Sequence, residues 1–420
     1  MKILRLMTLF IILPVLALAG CNRTESSKMA TVQYQPTPQS ILTPDRVETR
    51  LGHLSFFDGY PGPETVDKVY DNLDFERGVR AFLDGLPIAS LYAMREGLRE
   101  MGCVNNKIGI MENLMDSKTL FLTANTESVY AFVWLDLNDG PMVIESAPNT
   151  LGILDNFWFG HVTDLGNAGP DKGKGGKYLI LPPGYDGEVP AGYHTFRSPT
   201  NGNWLLWRGF LVDGDPGPAA ANLKKHTRIY PLARRNAPPA TEFVNLSGSS
   251  FNTIHANDIT FYKEVHAVLQ EEPVDDLDPE FLGLLAAIGI EKGKTFAPDA
   301  RMTDILTDAA AVGNATARAL VFKTRDPEFF YYEDSAWKTG FIGGSHEFEV
   351  DGVRLLDGRA LFFYYATGIT PAMAAKMVGV GSQYAGAMVD SEGRALDGGY
   401  TYRLRIPKDV PVKDFWSLVL

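Results

Sequence analysis

The sequence predicts an α+β fold: two β-rich domains, sandwich- or barrel-like and mainly antiparallel, with a helical segment between them. Three observations predict it. Apolar residues recur at helical spacing over 75–101 and in three stretches between 258 and 322. Short β-branched or aromatic runs, separated by clusters of Gly, Pro, Asn and Asp, lie on either side of that helical middle. The apolar fraction of 45% and charged fraction of 21% belong to a chain that buries a core.

The chain opens on MKILRLMTLFIILPVLALAGC, with Lys2 and Arg5 ahead of an apolar run at 6–17 and small residues before a cysteine. This is the three-part layout of a secretory signal. A membrane-spanning helix fits worse, because the run falls short of the roughly 20 apolar residues a bilayer needs and contains Pro14. Leu18, Ala19, Gly20 and Cys21 resemble the lipobox of bacterial lipoproteins. That resemblance implies removal of residues 1–20, acylation of Cys21 and attachment to membrane through the lipid alone. The alternative is an ordinary cleaved signal followed by a coincidental cysteine. Asn22 stands where lipoproteins kept at the inner membrane resemble one another in having Asp, so the expected location is the cell envelope, on the periplasmic face of the outer membrane. Residues 21–50 are rich in Ser, Thr, Gln and Pro and read as a flexible stalk.

A net charge of −12 argues against a nucleic-acid partner, whose phosphates attract basic surfaces. With Cys21 lipidated, Cys103 has no partner among the two cysteines, so no disulfide staples the chain. Cys103 reads as a buried thiol; a nucleophile would need an electropositive, partly exposed setting. The sequence neither requires nor forbids self-association.

Residues 51–235 form the first domain, with a helical start. The apolar periodicity over 75–101 is expected to break at 85–87, where Gly85 and Pro87 stand, giving a helix pair or a kinked helix. Strands are expected at 119–124, 129–137, 142–145, 177–181, 194–197 and 204–212, with PTNGN as a hairpin turn between the last two. Residues 236–326 form a helical insert with helices at 258–270, 279–288 and 299–322, and Asp278 before Pro279 marks a capped start. Residues 327–420 return to strands, at 329–333, 346–350, 361–365 and 399–406.

Several blocks carry a family resemblance. TANTESVYAFVWLDL, GPMVIESAP, GPDKGKGGKYLILPPGYDGEVPAGYHTFRSPTNG and WRGF resemble domain of unknown function 1254. GIEKGKTFAPD, the stretch Gly381-Ser382-Gln383-Tyr384, DSEGRALDGGYTYRLRIP and FWSLVL resemble its companion, domain of unknown function 1214. The resemblance spans about 54–420 and implies an envelope or secreted protein of β-rich build; it implies no reaction and no catalytic residue. Proteins of this pairing continue beyond the FWS segment, so it also implies that the second domain lacks its usual C-terminal end.

Known catalytic patterns fit poorly. GIEKGKT at 289–295 lacks the leading glycine of a phosphate loop, and GGSHE at 343–347 lacks the final glycine of a nucleophile elbow. Neither a cofactor nor a metal is expected from any motif. The seven histidines, at 53, 161, 194, 226, 255, 266 and 346, are scattered, although His161 and His194 with a carboxylate could meet through the fold.

The densest polar set lies in the first β-rich part. Asn125 and Glu127 precede a strand carrying Trp134 and Asp136, and Asp155, Trp158, His161 and Asp164 crowd together beyond it. Curled strands would let Glu127, Asp136, Asp164 and His161 act as acid and base. The alternative is that the Asn and Asp residues sit in turns, bonding their own backbone. Asn125, Trp134, Asp155 and Trp158 would line a pocket for a sugar or aromatic molecule; core packing explains the rings more cheaply. Arg197 and Arg208 flank PTNGN and could clamp a carboxylate, or each could pair with an acid of the chain. Three functions remain open: binding of a small polar or aromatic molecule, hydrolase or lyase chemistry on a small substrate, and a structural envelope role.

Overall fold

A computed structural model describes residues 35–375, 383–406, 408–410 and 416–419. The signal segment and Cys21 lie outside the described residues, as do Gly381 and Ser382. The described chain forms two compact units, the first ending at Val66 and the second beginning at Asp67. In the first, β1 (Arg46–Thr49), β2 (Gly52–Phe57) and β3 (Tyr60–Pro61) make an antiparallel meander. The turn between β1 and β2 rests on Gly52 at φ 84°, a conformation that costs a residue without Cβ nothing. Residues 46–49, expected as the end of the stalk, are therefore strand.

The second unit takes in α1 (Pro63–Glu100) from Asp67 onward. No break occurs at Gly85 or Pro87. A proline inside an exposed helix costs about 3 kcal/mol, but here Phe82, Leu86, Ala89, Leu91, Met94 and Leu98 are buried around it. Gly85 is filled from outside by Phe261 and Val265, whose atoms lie 3.2–3.3 Å from where a Cβ would stand. The helix stops at Gly102 (φ 70°), with the Cys103 N–H reaching back to Leu98 O, a Schellman-type end. Cys103 is buried, and burial pushes its thiol up to about 11, as expected of an inert cysteine.

Ten strands follow: β4 (Lys107–Ile110), β5 (Ser128–Asp136), β6 (Met142–Ser146), β7 (Thr150–Asn156), β8 (His161–Gly166), β9 (Gly176–Leu181), β10 (His194–Arg197), β11 (Gly202–Phe210), then β12 (Arg228–Pro231) and β13 (Glu242–Asn245), with α2 (Gly217–His226) before β12. They form a six-stranded sheet in the order β13-β4-β5-β11-β7-β8 and a four-stranded sheet in the order β10-β9-β6-β12. Pairing is antiparallel except for β13 with β4 and β10 with β9. Alternation of side chains along β5 and β11 splits the six-stranded sheet into two buried faces. Val129, Ala131, Val133, Leu135, Leu205 and Trp207 share a core with Ile144, Tyr178 and Ile180 of the four-stranded sheet. Tyr130, Phe132, Trp134, Trp204 and Leu206 turn the other way, into the core that includes α1 and the later helices.

Those helices are α3 (Thr260–Glu271), α4 (Pro279–Ala287) and α5 (Ala300–Phe322). Asp278 accepts the Glu280 N–H and Asp299 the Met302 N–H, the caps that start α4 and α5. A short hairpin of β14 (Glu349–Val350) and β15 (Val353–Arg354) precedes α6 (Leu356–Tyr365) and α7 (Pro371–Ala374).

The α+β class holds, with strands concentrated before residue 246. Residues 361–365, expected as a strand, lie in α6: Leu361, Phe362 and Phe363 are all buried, and a run buried on every side has no period to distinguish helix from strand. Around 120 and 330 the described chain makes only isolated bridges, and 399–406 forms no regular strand. PTNGN is not a hairpin turn, because β10 and β11 belong to different sheets. Instead the chain crosses between sheets there, and the Glu272 carboxylate fixes the crossing by accepting the N–H groups of Asn201 and Gly202 at 2.6 and 2.8 Å.

Candidate functional site

The site grows from an irregularity in β8. In a regular strand His161 and Asp164, an odd number of residues apart, would face opposite ways. Register slips where Leu154 pairs Thr163 but Asp155 pairs His161, leaving Val162 as an extra residue. That bulge turns His161 and Asp164 to one side, the helix-covered face that also holds Asp155 and Trp204. The β7–β8 turn is held by Asn156, whose Oδ1 accepts the N–H groups of Trp158 and Gly160 at 2.8 and 3.1 Å.

The chain after α6 lies across this corner. Trp204 Nε1 donates to Thr367 O at 2.7 Å, Ile369 N–H to Asp155 Oδ2 at 2.9 Å, and Thr370 Oγ1 to Asp164 Oδ1 at 2.5 Å. A Cβ on Gly368 would stand 2.3 Å from Ile153 Cδ1, so a larger residue here would have to push that side chain aside. His346 completes the group, its ring edge-on to His161 at 5.7 Å.

Three polar atoms within 155–161 are buried without a hydrogen-bond partner: Asp155 Oδ1, Trp158 Nε1 and His161 Nε2. His161 Nε2 lies 3.5 Å from Asp164 Oδ2, too far for a good hydrogen bond. Asp155 is fully buried, which drives its carboxyl well above the usual carboxylate range; the Ile369 N–H works against this and the nearby Asp164 with it. Burial lowers the pKa of His346, with His161 adding to the effect and Glu347 and Asp164 opposing it.

Of the residues singled out by sequence, the fold gathers Asp155, Trp158, His161 and Asp164. Others stand apart. Glu127 is exposed, and Asn125 builds a turn, its Oδ1 accepting the Glu127 N–H and the Ser128 hydroxyl. Asp136 accepts from Asn138 at the far end of β5, the turn role that was the alternative. Trp134 packs edge-on to Phe157 as core. The Arg197–Arg208 clamp does not form, because β10 and β11 lie in different sheets. Arg197 bonds the carbonyls of Pro182 and Tyr185. Arg208 shares the helix-covered face, where burial opposes its charge and the Tyr384 and Tyr130 hydroxyls more than offset this. His194 lies in the four-stranded sheet with its ring 5.3 Å from that of Tyr178, whereas His161 faces the helix-covered side. The strap residues Ile369 and Thr370 and the ring of His346 were not singled out; no spacing in the sequence ties them to β7 and β8.

Two hollows of about 430 and 460 Å³ open elsewhere. The first is lined by Tyr92, Glu96, Asn252 and Glu264, the second by Pro183, Arg197 and Asp275. Neither is lined by an unpartnered buried polar atom, so the β7–β8 corner is the stronger candidate. Among the described residues no group of three or more His, Cys, Asp or Glu is arranged to hold a metal ion, and no helix is long and apolar enough to cross a membrane.

Fold and site together define an α+β protein whose two-sheet sandwich carries a polar corner on its helix-covered face. Residues 105–231 match the family described as "Protein of unknown function (DUF1254)", and residues 381–420 match "Protein of unknown function (DUF1214)". The two matches fall in the order the motifs suggested. Asp155, Trp158, His161 and Asp164 fall inside the first match; His346 and the strap fall between the two. Among solved structures, the chain is similar to the VPA0106 protein from Vibrio parahaemolyticus, at 18% identity and a TM-score of 0.46 over 61% of this chain. That match spans 62% of the VPA0106 chain. No curated protein matches.

Proposed function

We propose that this protein binds a small polar or aromatic molecule at the β7–β8 corner. One observation carries the reading: Asp155 Oδ1, Trp158 Nε1 and His161 Nε2 are buried without partners in one hairpin. A buried polar group left unpaired costs about 1–3 kcal/mol, so an occupant that supplies the missing partners gains by it. A second reading is a hydrolase or lyase, favoured by the closeness of His161 to Asp164, which Thr370 orients. In that reading His161 moves the proton and Asp164 positions the ring.

A thermal-shift screen against sugars, organic acids and aromatics tests the binding reading, since a ligand of the folded state raises its melting point. At least one class should shift the wild type and lose its effect in His161→Ala; silence across the panel, or a shift indifferent to that substitution, overturns it. The N-terminal layout supports an envelope location, tethered by lipid on Cys21. Mass spectrometry of the protein from its host should find Cys21 acylated at the new N-terminus, and an intact leader overturns the tether.

A further inference from the structure

We propose that Arg208, Tyr130 and Tyr384 form a binding site, separate from the β7–β8 corner, for the carboxylate of a small organic acid with an apolar body. Arg208 and Tyr130 are register partners on β11 and β5, so their side chains stand side by side on the helix-covered face. Tyr384, far along the chain, brings its hydroxyl to the same guanidinium. The segment that carries it is anchored: Tyr331 donates to Tyr384 O at 2.6 Å, and Lys338 and Gly386 exchange both backbone hydrogen bonds at 2.9 Å. Along β11, Arg208 stands four residues from Trp204, the partner of Asp155, which is about 13 Å at the rise of a strand.

Charge says what the site takes. A guanidinium under cover normally has a carboxylate beside it, since an unpaired buried charge is costly. Arg95 has Glu96 and Glu271, and the half-buried Arg359 has Asp84. Arg208 is half-buried too, yet among the described residues no Asp or Glu pairs with it; burial opposes its charge, and the hydroxyls of Tyr384 and Tyr130 offset this. Those hydroxyls are donors as well. The Tyr130 oxygen accepts the Asn125 N–H at 3.2 Å and has Arg208 beside it, so its own proton is left for another acceptor. The group thus gathers a guanidinium fork and two O–H donors around one positive charge. A carboxylate fits that set, because its two oxygens match the fork and its single charge matches the single cation. A phosphate ester dianion would keep a charge uncompensated under cover. The ring of Phe341 lies 6.4 Å from that of Tyr384, and the ring of Phe121 6.2 Å from that of Tyr130, which gives the body of the acid apolar surface. Tyr384 is 39% exposed, so solvent reaches the group from its side.

Calorimetry on the full chain near neutral pH tests the site with benzoate, phenyl phosphate and benzyl alcohol, which share a ring and differ in charge. Benzoate should bind at least about tenfold tighter than either of the others. Arg208→Gln should weaken it by about tenfold or more, the scale of a charge-assisted pair, and Tyr384→Phe by roughly threefold to tenfold. Because Tyr384 is partly exposed and Phe keeps its ring, the second variant tests the site even if the first fails to fold. His161→Ala should leave benzoate binding unchanged. Failure of benzoate to bind, or tighter binding of phenyl phosphate, overturns the carboxylate assignment. Benzoate binding that survives both Arg208→Gln and Tyr384→Phe overturns the site. So does binding lost with His161→Ala instead, a result that favours the corner reading, which none of the other outcomes touches.

Discussion

The two faces of the six-stranded sheet are built from the same strands and differ in the polar atoms that the hairpin of those strands leaves unpaired; the buried Asp171 Oδ2 beside Tyr178 is unpaired too, but belongs to a loop. Against the four-stranded sheet, Val129, Val133, Leu135, Leu205 and Trp207 are fully buried, and the indole N–H of Trp207 finds Ser146 Oγ at 3.1 Å. On the opposite face Trp204 is equally buried and bonded, to Thr367 O, but Asp155, Trp158 and His161 each keep a buried atom unpaired. The dry face is closed by strands that lie near one another in the chain. The other is closed by α1, α3 and the strap at 367–370, segments distant in sequence, and there a bulge places His161 and Asp164 under cover. Unsatisfied polarity of that kind is what the proposed binding reading rests on.

The largest effect should come from the dry face. Trp207→Ala is expected to lower stability by about 3–5 kcal/mol in urea unfolding, because the surrounding strands cannot collapse into the space. A loss below about 1 kcal/mol would mean that the sandwich core is not the principal one.

Sensitivity to pH should belong to the helix-covered side. Burial raises the pKa of Glu264 on α3 to about 7, against the opposing N–H of Ala256. A carboxyl whose folded pKa exceeds its unfolded value of 4.5 adds stability below that value and loses it as pH climbs through about 7. Wild type should therefore lose about 3 kcal/mol more than Glu264→Gln between pH 4 and pH 8. Parallel stability curves for the two proteins would contradict this.

The sequence disclosed these two faces unequally. The runs at 129–137, 142–145, 177–181 and 204–212 announced β5, β6, β9 and β11, and Asp278 announced α4, because strand alternation and caps are local chemistry. Asp155, Trp158, His161 and Asp164 stood out for a similar reason, since a hairpin brings sequence neighbours into spatial contact. Glu127 and Asp136 look the same on paper, and only the register separates a turn carboxylate from a site carboxylate. His346 and Thr370 meet β8 through contacts some two hundred residues apart in the chain, which no period or spacing encodes. PTNGN has hairpin chemistry, yet whether a turn returns to the same sheet or crosses to another depends on packing beyond it.

A smaller effect belongs to the strap. Thr370→Val removes the hydroxyl that donates to Asp164 and accepts the Ala372 N–H at the start of α7. About 1–2 kcal/mol should be lost. The strap's amide protons near Ile369 should also exchange faster with solvent, whereas those of β5 should not. Uniform acceleration would mean that the strap opens only when the whole unit does.

The smallest effect discriminates best between the faces. Phe substitutions at Trp204, Trp207 and Trp158 each remove one indole N–H, but only the first two break a hydrogen bond, to Thr367 and Ser146. Those two also shrink fully buried rings, while Trp158 is half-buried. Trp158→Phe should therefore cost less than about 0.5 kcal/mol, and each of the others at least about 1 kcal/mol more. Equal losses at all three positions would show that the Trp158 N–H already has a partner in the resting protein. The corner would then keep one fewer donor for an incoming ligand, and the contrast between its two faces would narrow to Asp155 and His161.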